Sequence, residues 1–207
     1  MQLTVQFEHW HLGDGNYPAF AVGDRARLSF ELDVLAAESV GDDVPEGVRQ
    51  IRDAEYEAVG RVVRSYPDGI SSAFPVIEAG WLRFYCPTSA AAALAVGARV
   101  RLRGLLALDH YQWVEFLERY PDPPDLFYPV EVTRVRQVRI PERFIARSAR
   151  TVSAPTALRP GAYGAEEVRD TGAVAEGPGL GTFSLLDLRV LPPDAEPQHP
   201  TFLGATA

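Results

Sequence analysis

The sequence predicts a mainly β protein, built as a small barrel with an added N-terminal β-hairpin and an extended C-terminal arm. Two observations predict it. Apolar and polar residues alternate with the period of a strand in several segments, and glycine- or proline-rich turns separate those segments. The alanine-rich stretch 88–94 favours a helix, and that helix is short.

The predicted strands are spread along most of the chain. Leu3, Val5 and Phe7 alternate with polar residues in the first one, and a turn at 13–18 leads into the second. The acidic, turn-rich stretch 35–54 predicts a surface loop. The predicted strands cover residues 2–10, 20–34, 56–66, 81–86, 98–108, 111–117 and 128–140.

The composition changes after Arg150 to serine, alanine, proline, glycine and threonine, which predicts a linker or extended arm over 151–180. A last strand is predicted at 182–191, where it can add to an existing sheet, and 192–207 reads as a frayed tail. We therefore expect a hairpin and acidic loop in 1–52, the barrel in 53–150 and the arm in 151–207.

Two glycine-bearing segments resemble parts of OB-fold proteins. Tyr56-Glu-Ala-Val-Gly60-Arg-Val-Val resembles a first OB strand, with Gly60 where the strand bends. Leu94-Ala-Val-Gly97-Ala-Arg-Val-Arg-Leu-Arg-Gly104 resembles the helix exit and fourth strand. The resemblance implies an OB-like barrel from about 53 to 140, with 128–140 as its last strand.

The N-terminal stretch resembles a second family. Phe7-Glu-His-Trp10, followed by Phe20-Ala-Val-Gly-Asp24, is similar to the start of an actinobacterial family of unknown function. That resemblance implies a bacterial source and no particular activity.

Composition narrows the environment more than the function. The chain carries 46% hydrophobic residues and a net charge of -8, all its basic residues are arginine, and its single cysteine excludes an internal disulfide. No signal peptide and no membrane span is visible, so we expect a cytoplasmic protein without membrane contact. The acidic balance argues against non-specific nucleic-acid binding.

One set of residues nevertheless has the pattern of a ligand-binding face. In the strand 81–86, Trp81, Arg83 and Tyr85 are predicted to share a side, where aromatic rings can stack bases and arginine can pair phosphates. Arg99, Arg101 and Arg103 share a second face, and Arg134 and Arg136 repeat the pattern. The alternative interpretation is a solvated face whose arginines pair with the abundant carboxylates.

Candidates for chemistry are few. His9 and His11 with Asp14 have the spacing of a partial zinc site, but His110 and His199 lie far away, so we predict no metal. Cys86 is expected to be buried rather than nucleophilic. Because no serine-hydrolase elbow, phosphate-binding loop or dinucleotide fingerprint is present, we predict neither a cofactor nor catalytic residues.

One eight-residue pattern occurs twice. Ala21-Val-Gly-Asp-Arg-Ala-Arg-Leu28 resembles Ala95-Val-Gly-Ala-Arg-Val-Arg-Leu102. A duplicated barrel unit would explain the echo, as would one turn-into-strand solution used twice. The flanking residues do not match, which favours the second explanation.

The function predicted from these observations is a non-enzymatic binding or assembly protein that acts through protein contacts or self-association. The arm that ends in a strand and an aromatic cluster support it. The cluster, equally well explained as core packing, is Tyr111, Trp113, Phe116, Tyr120, Phe127 and Tyr128. The alternatives are a single-stranded nucleic-acid-binding protein and an enzyme without short motifs.

Overall fold

The computed structural model describes residues 1–13, 15, 17–67, 73–87, 94–109, 124–139, 167–175 and 182–194. It is mainly β, as predicted, with one helical turn, α1 (Trp10–Gly13). The strands are β1 (Gln2–Glu8), β2 (Arg25–Leu28), β3 (Phe30–Ser39), β4 (Gly47–Arg52), β5 (Glu55–Pro67), β6 (Ala73–Ala79), β7 (Leu82–Tyr85), β8 (Arg99–Leu108), β9 (Tyr128–Arg139), β10 (Glu167–Asp170) and β11 (Thr182–Val190). The helix predicted at 88–94 and the strand predicted at 111–117 fall almost wholly outside the described residues.

Five strands close a barrel in the order β5, β6, β7, β3, β8 and back to β5. The pair β3–β7 is parallel and the other four pairs are antiparallel, so the barrel is mixed. The predicted small barrel is therefore present, but its fifth strand is β3. The strand that we expected to close it forms as β9 and pairs with β2, β10 and β11 instead.

The remaining strands close a second ring that shares β3 and β8 with the first. Around this ring the strands follow the order β9, β11, β1, β8 and β3. The ring is closed by β2, which directly precedes β3 in the chain and pairs with β9. The pair β1–β8 is parallel and the other pairs are antiparallel. β1 thus lies between β11 and β8, and not in a hairpin with the strand that follows it in the chain.

The repeated sequence pattern forms the same turn at the same place in each ring. Gly23 and Gly97 have positive φ angles of 97° and 88°, a conformation that favours glycine. In both turns a backbone N–H donates to the carbonyl three residues earlier, at 3.1 Å in 21–24 and 3.0 Å in 95–98. One turn leads into β2 and the other into β8.

The strands that receive these turns also correspond. The N–H of the turn glycine donates to Val132 on β9 in one ring and to Val62 on β5 in the other, both at 2.8 Å. A β-bulge follows each valine, at Thr133 and at Val63. The turn, the pairing register and the bulge agree between the two rings. This agreement favours a duplicated unit over one turn-into-strand solution used twice, which the flanking sequence had favoured.

One hydrophobic core fills both rings. The apolar face predicted for the second strand is confirmed, since Ala26, Leu28, Phe30 and Leu32 are all buried in the core. Burying a side chain the size of leucine or phenylalanine contributes roughly 1.5–3 kcal/mol. That strand is interrupted at Ser29 and continues to the end of β3, beyond the predicted end at residue 34.

Three strands occupy segments for which the sequence predicted none. β4 lies in the expected surface loop, β6 in the expected gap between two strands, and β10 in the expected linker. The last predicted strand forms as β11, and it does add to the sheet, between β9 and β1. β11 is therefore an integral strand of the second ring.

Substituting Gly60 tests the close approach of β5 to β6. A Cβ at this position would collide with the carbonyl of Glu78 and lie 2.9 Å from the Cα of Ala79. We expect Gly60→Ala to lower the free energy of unfolding by roughly 1–3 kcal/mol, because backbone must move to relieve the overlap. Urea denaturation measures this.

Gly13→Ala is the matched control for that experiment. No heavy atom lies within 4 Å of a Cβ built there. We expect its urea midpoint to stay close to that of the parent chain, and equal midpoints for the two variants would contradict the packing argument.

Candidate functional site

The three arginines of the predicted stripe lie on the outer surface of the first barrel, along β8. Each of them pairs with a carboxylate from a neighbouring strand or loop. The pairs are Arg99–Glu46, Arg101–Glu38 and Arg103–Glu55. The side chain of Arg99 is only 12% exposed, and the other two are more open. Their charges are thus compensated within the chain.

Arg83 and Trp81 lie at the β6–β7 turn of the same barrel. Arg83 is exposed and pairs with Glu78 on the adjacent strand at 2.5 Å. Trp81 packs partly buried against the core, and its ring meets that of Tyr128 edge-on at 6.3 Å between centroids. The two predicted ligand residues are neighbours, but each already contacts another side chain of the protein: Arg83 pairs with Glu78, and Trp81 packs against Tyr128.

Tyr85 does not share the exposed face that the alternation predicted. It is fully buried in a small cluster outside the main core, because β7 is covered on both sides at this end, although Arg83 on the same side of the strand is exposed. Its hydroxyl donates to Glu31 Oε2 at 2.6 Å and also contacts Asp109 Oδ1. Burial, followed by these two carboxylates, raises the pKa of Tyr85 well above its ordinary value. The phenol therefore serves as an internal hydrogen-bond donor and cannot stack an external base.

Cys86 is buried, in agreement with the packing role predicted for it. Burial, with smaller contributions from the carboxylates of Glu31 and Asp33, raises the pKa of the thiol. The thiolate, which is the nucleophilic form, is therefore disfavoured at neutral pH.

The two N-terminal histidines point to different partners. β1 ends at Glu8 rather than at residue 10, so His9 and His11 do not lie along one face of a strand. His11 is buried beside the rings of Phe7 and Tyr17. No group of three or more potential ligands among His, Cys, Asp and Glu is arranged to hold a metal ion within the described ranges.

His9 forms the closest approach to a nucleophile–base pair in the part of the chain that the structure describes. Its Nε2 lies 2.9 Å from the Oγ of Ser184 on β11. Ser184 is almost completely buried, and His9 Nδ1 has no hydrogen-bond partner to orient the ring. Burial also lowers the pKa of His9. A catalytic triad needs an oriented base and an accessible hydroxyl, and this pair lacks both.

Arg136 on β9 connects the two rings. Its guanidinium donates to Asp53 at 2.8 Å, in the β4–β5 turn, and to Asp187 at 2.9 Å, on β11. Thr4 on β1 also donates to Asp187, and its own N–H donates to the hydroxyl of Tyr56 on β5. Arg134, by contrast, forms an exposed two-pronged pair with a carboxylate of β10.

A cavity lies at the end of the second ring, and sequence reasoning missed it. Strands β9, β10 and β11 line it. Its described lining residues are Gln137, Arg139, Glu167, Arg169 and Thr182. No local signal marks it, because strands distant in the sequence bring these side chains together.

The aromatic cluster is described only in part, since Tyr111 to Tyr120 lie outside the described residues. Tyr128 stacks on Phe30 at 5.8 Å between centroids, and its hydroxyl accepts the N–H of Arg83 at 2.6 Å. Phe127 packs against the small cluster around Tyr85. The two described members contribute to internal packing.

Comparisons with known proteins assign no family. No family model, no curated protein and no solved structure matches the chain. The N-terminal resemblance to an actinobacterial family therefore gains no support from them.

Within the described residues, no helix is long and apolar enough to cross a membrane.

Removing Arg136 tests the connection between the rings. Its side chain is 15% exposed, and Arg136→Met leaves the carboxylates of Asp53 and Asp187 without their shared cation. We expect the free energy of unfolding to fall by about 2 kcal/mol or more, as for other largely buried pairs that lose one partner.

Arg49→Met is the control, because Arg49 is 68% exposed in its pair with Glu57. An exposed ion pair contributes at most about 1 kcal/mol. Chemical denaturation of both variants compares them, and a smaller loss for Arg136→Met than for Arg49→Met would contradict the bridging role.

Proposed function

We propose that this chain is a non-enzymatic binding or assembly protein, and that it assembles through strand β10. The observation that carries the proposal is the exposure of that strand. All four of its residues are exposed, and it pairs with β9 as its one described sheet neighbour. The free edge of a strand presents unpaired backbone groups, which is a template for another strand.

The sequence of β10 is complementary to itself. An antiparallel pair centred on Val168 would place Glu167 of each copy beside Arg169 of the other. Residues directly opposite on adjacent strands lie about 4.5–5.5 Å apart, close enough for these opposite charges to attract. Val168 is 54% exposed, and on the other face it would meet its own copy. Charge and apolar contact therefore favour a second copy of this chain as the partner.

We also propose that the first barrel is OB-like. Its five strands, its single parallel pair and the position of Gly97 just before β8 support this assignment. The space for the predicted short helix falls between β7 and β8, as the resemblance implies.

Single-stranded nucleic-acid binding stays the alternative. As predicted from the sequence it depends on Trp81, Arg83, Tyr85 and the arginines of β8, and both the burial of Tyr85 and the ion pairs of those arginines count against it. Salt-sensitive binding of a labelled single-stranded oligonucleotide that Trp81→Ala weakens would favour this alternative over assembly.

Charge reversal on β10 tests the assembly proposal. Glu167→Arg would oppose two arginines at both cross-chain contacts, and Arg169→Glu would oppose two glutamates. We expect either variant to be monomeric at concentrations where the parent chain dimerises. Light scattering after size exclusion, from about 10 μM to 1 mM, covers the range of a weak contact.

Mixing the two variants supplies the control, because both arginines of the first variant's β10 then face glutamates in β10 of the second. We expect the mixture, and also the double variant Glu167→Arg/Arg169→Glu, to dimerise again. A parent chain that stays monomeric throughout, or single variants that dimerise like the parent, would refute assembly through β10.

A further inference from the structure

The cavity at the end of the second ring continues the interior of that ring. Along β11, Leu188, Leu186, Ser184 and Thr182 face the same side, and the two leucines belong to the core. The apolar core therefore gives way to hydroxyl groups toward the cavity. Thr182 is 8% exposed, so the floor of the cavity is largely shielded from solvent.

Two arginines and one glutamate are among the residues that line the cavity, so one positive charge has no matching carboxylate among them. Arg169 pairs with Glu167 at 3.2 Å. Arg139 is exposed and forms neither an ion pair nor a side-chain hydrogen bond with any described residue. In this respect it is unlike the other arginines in the described ranges, which all contact a carboxylate, a hydroxyl or a backbone carbonyl.

The strand pairing places the free guanidinium among further polar groups. Arg139 is opposite Glu167 on one side and Thr182 on the other. Gln137, two residues earlier on β9, lies on the same face and lines the cavity with them. A planar fork of N–H donors beside a hydroxyl and an amide matches the geometry of a carboxylate.

We propose that this cavity binds a small carboxylate, held by Arg139 with Thr182 and Gln137 as its polar neighbours. The cavity has a volume of about 160 Å³. A cavity of about 150 Å³ holds a benzene molecule, so an acid of roughly four carbon atoms fits. The carboxylate of Glu167 at the rim disfavours a phosphate dianion, which carries more negative charge than Arg139 alone balances.

This site does not depend on assembly through β10. Its main donors lie on β9 and β11, and Arg139 takes no part in the cross-chain contacts. Loss of dimerisation in the charge-reversal variants therefore leaves the carboxylate proposal intact, and failure of carboxylate binding leaves the assembly proposal intact.

Titration of the full-length, isotope-labelled chain tests the site. The Nε–Hε signals of the arginines are followed by NMR while sodium butyrate, sodium acetate, sodium phosphate or sodium chloride is added at matched ionic strength. We expect a saturable shift of the Arg139 signal with butyrate and acetate, and none with chloride. No saturable shift with either carboxylate, or tighter binding of phosphate than of butyrate, would overturn the proposal.

Variants connect the binding to Arg139. We expect Arg139→Gln to weaken butyrate binding roughly tenfold or more, because a charge-assisted hydrogen bond is lost. Arg139→Lys keeps the positive charge but not the planar set of N–H donors, so we expect its butyrate affinity to lie between those of the parent chain and Arg139→Gln. Arg83→Gln, on the first barrel, is the control and should bind like the parent. Backbone signals, read in the same titrations, report butyrate binding in every variant, and equal affinity of Arg139→Gln and the parent would refute the assignment.

Discussion

The pairing of β3 with β8 is the constraint on which the rest of the structure depends. Both rings close through this ribbon, which is antiparallel and in which Leu32 faces Leu106. Beyond the ribbon, β8 also pairs with β5 and β1, while β3 pairs with β7 and is preceded by β2, which pairs with β9. A shift of register by one residue would turn the core-facing side chains of both rings toward solvent at once. Buried leucines within the ribbon and the glycine turns that lead into β2 and β8 fix that register.

Local sequence predicted most of the strands but not how they join. Alternation located β1, β3, β5, β8, β9 and β11, because one face of each meets a common core. It missed β4, an exposed edge strand without an apolar face, and β6, in which Pro75 argues against a strand. It also placed Tyr85 outward, because alternation assumes that only one side of a strand is covered. The ring that each strand joins is decided by long-range pairing, on which the period of a single segment carries no information.

The site residues show the same limit. Their residue types could be read from the sequence, and so could the face that Arg99, Arg101 and Arg103 share, but not the burial of Tyr85 and not the partners of any of them. Arg101 meets a glutamate 63 residues away, so the predicted nucleic-acid face becomes a set of internal ion pairs. Arg139 looks like any other arginine in the sequence, and it differs only because no carboxylate, hydroxyl or backbone carbonyl of the described residues reaches it. The repeated turn is the exception, since its sequence alone contained the first sign of the approximate symmetry of the two rings.

The long separation between β1 and β11 has a consequence for the order of synthesis. Thr4 and Asp187 face each other on adjacent strands of the second ring although they are 183 positions apart in the sequence. The strands of the first barrel have all been synthesised once Leu108 has left the ribosome, whereas β1 must wait for β11. At about 5–20 residues per second, that wait is on the order of ten seconds or more. During translation β1 therefore has an apolar face and lacks its partner β11, which makes it the kind of segment that chaperones at the ribosome protect.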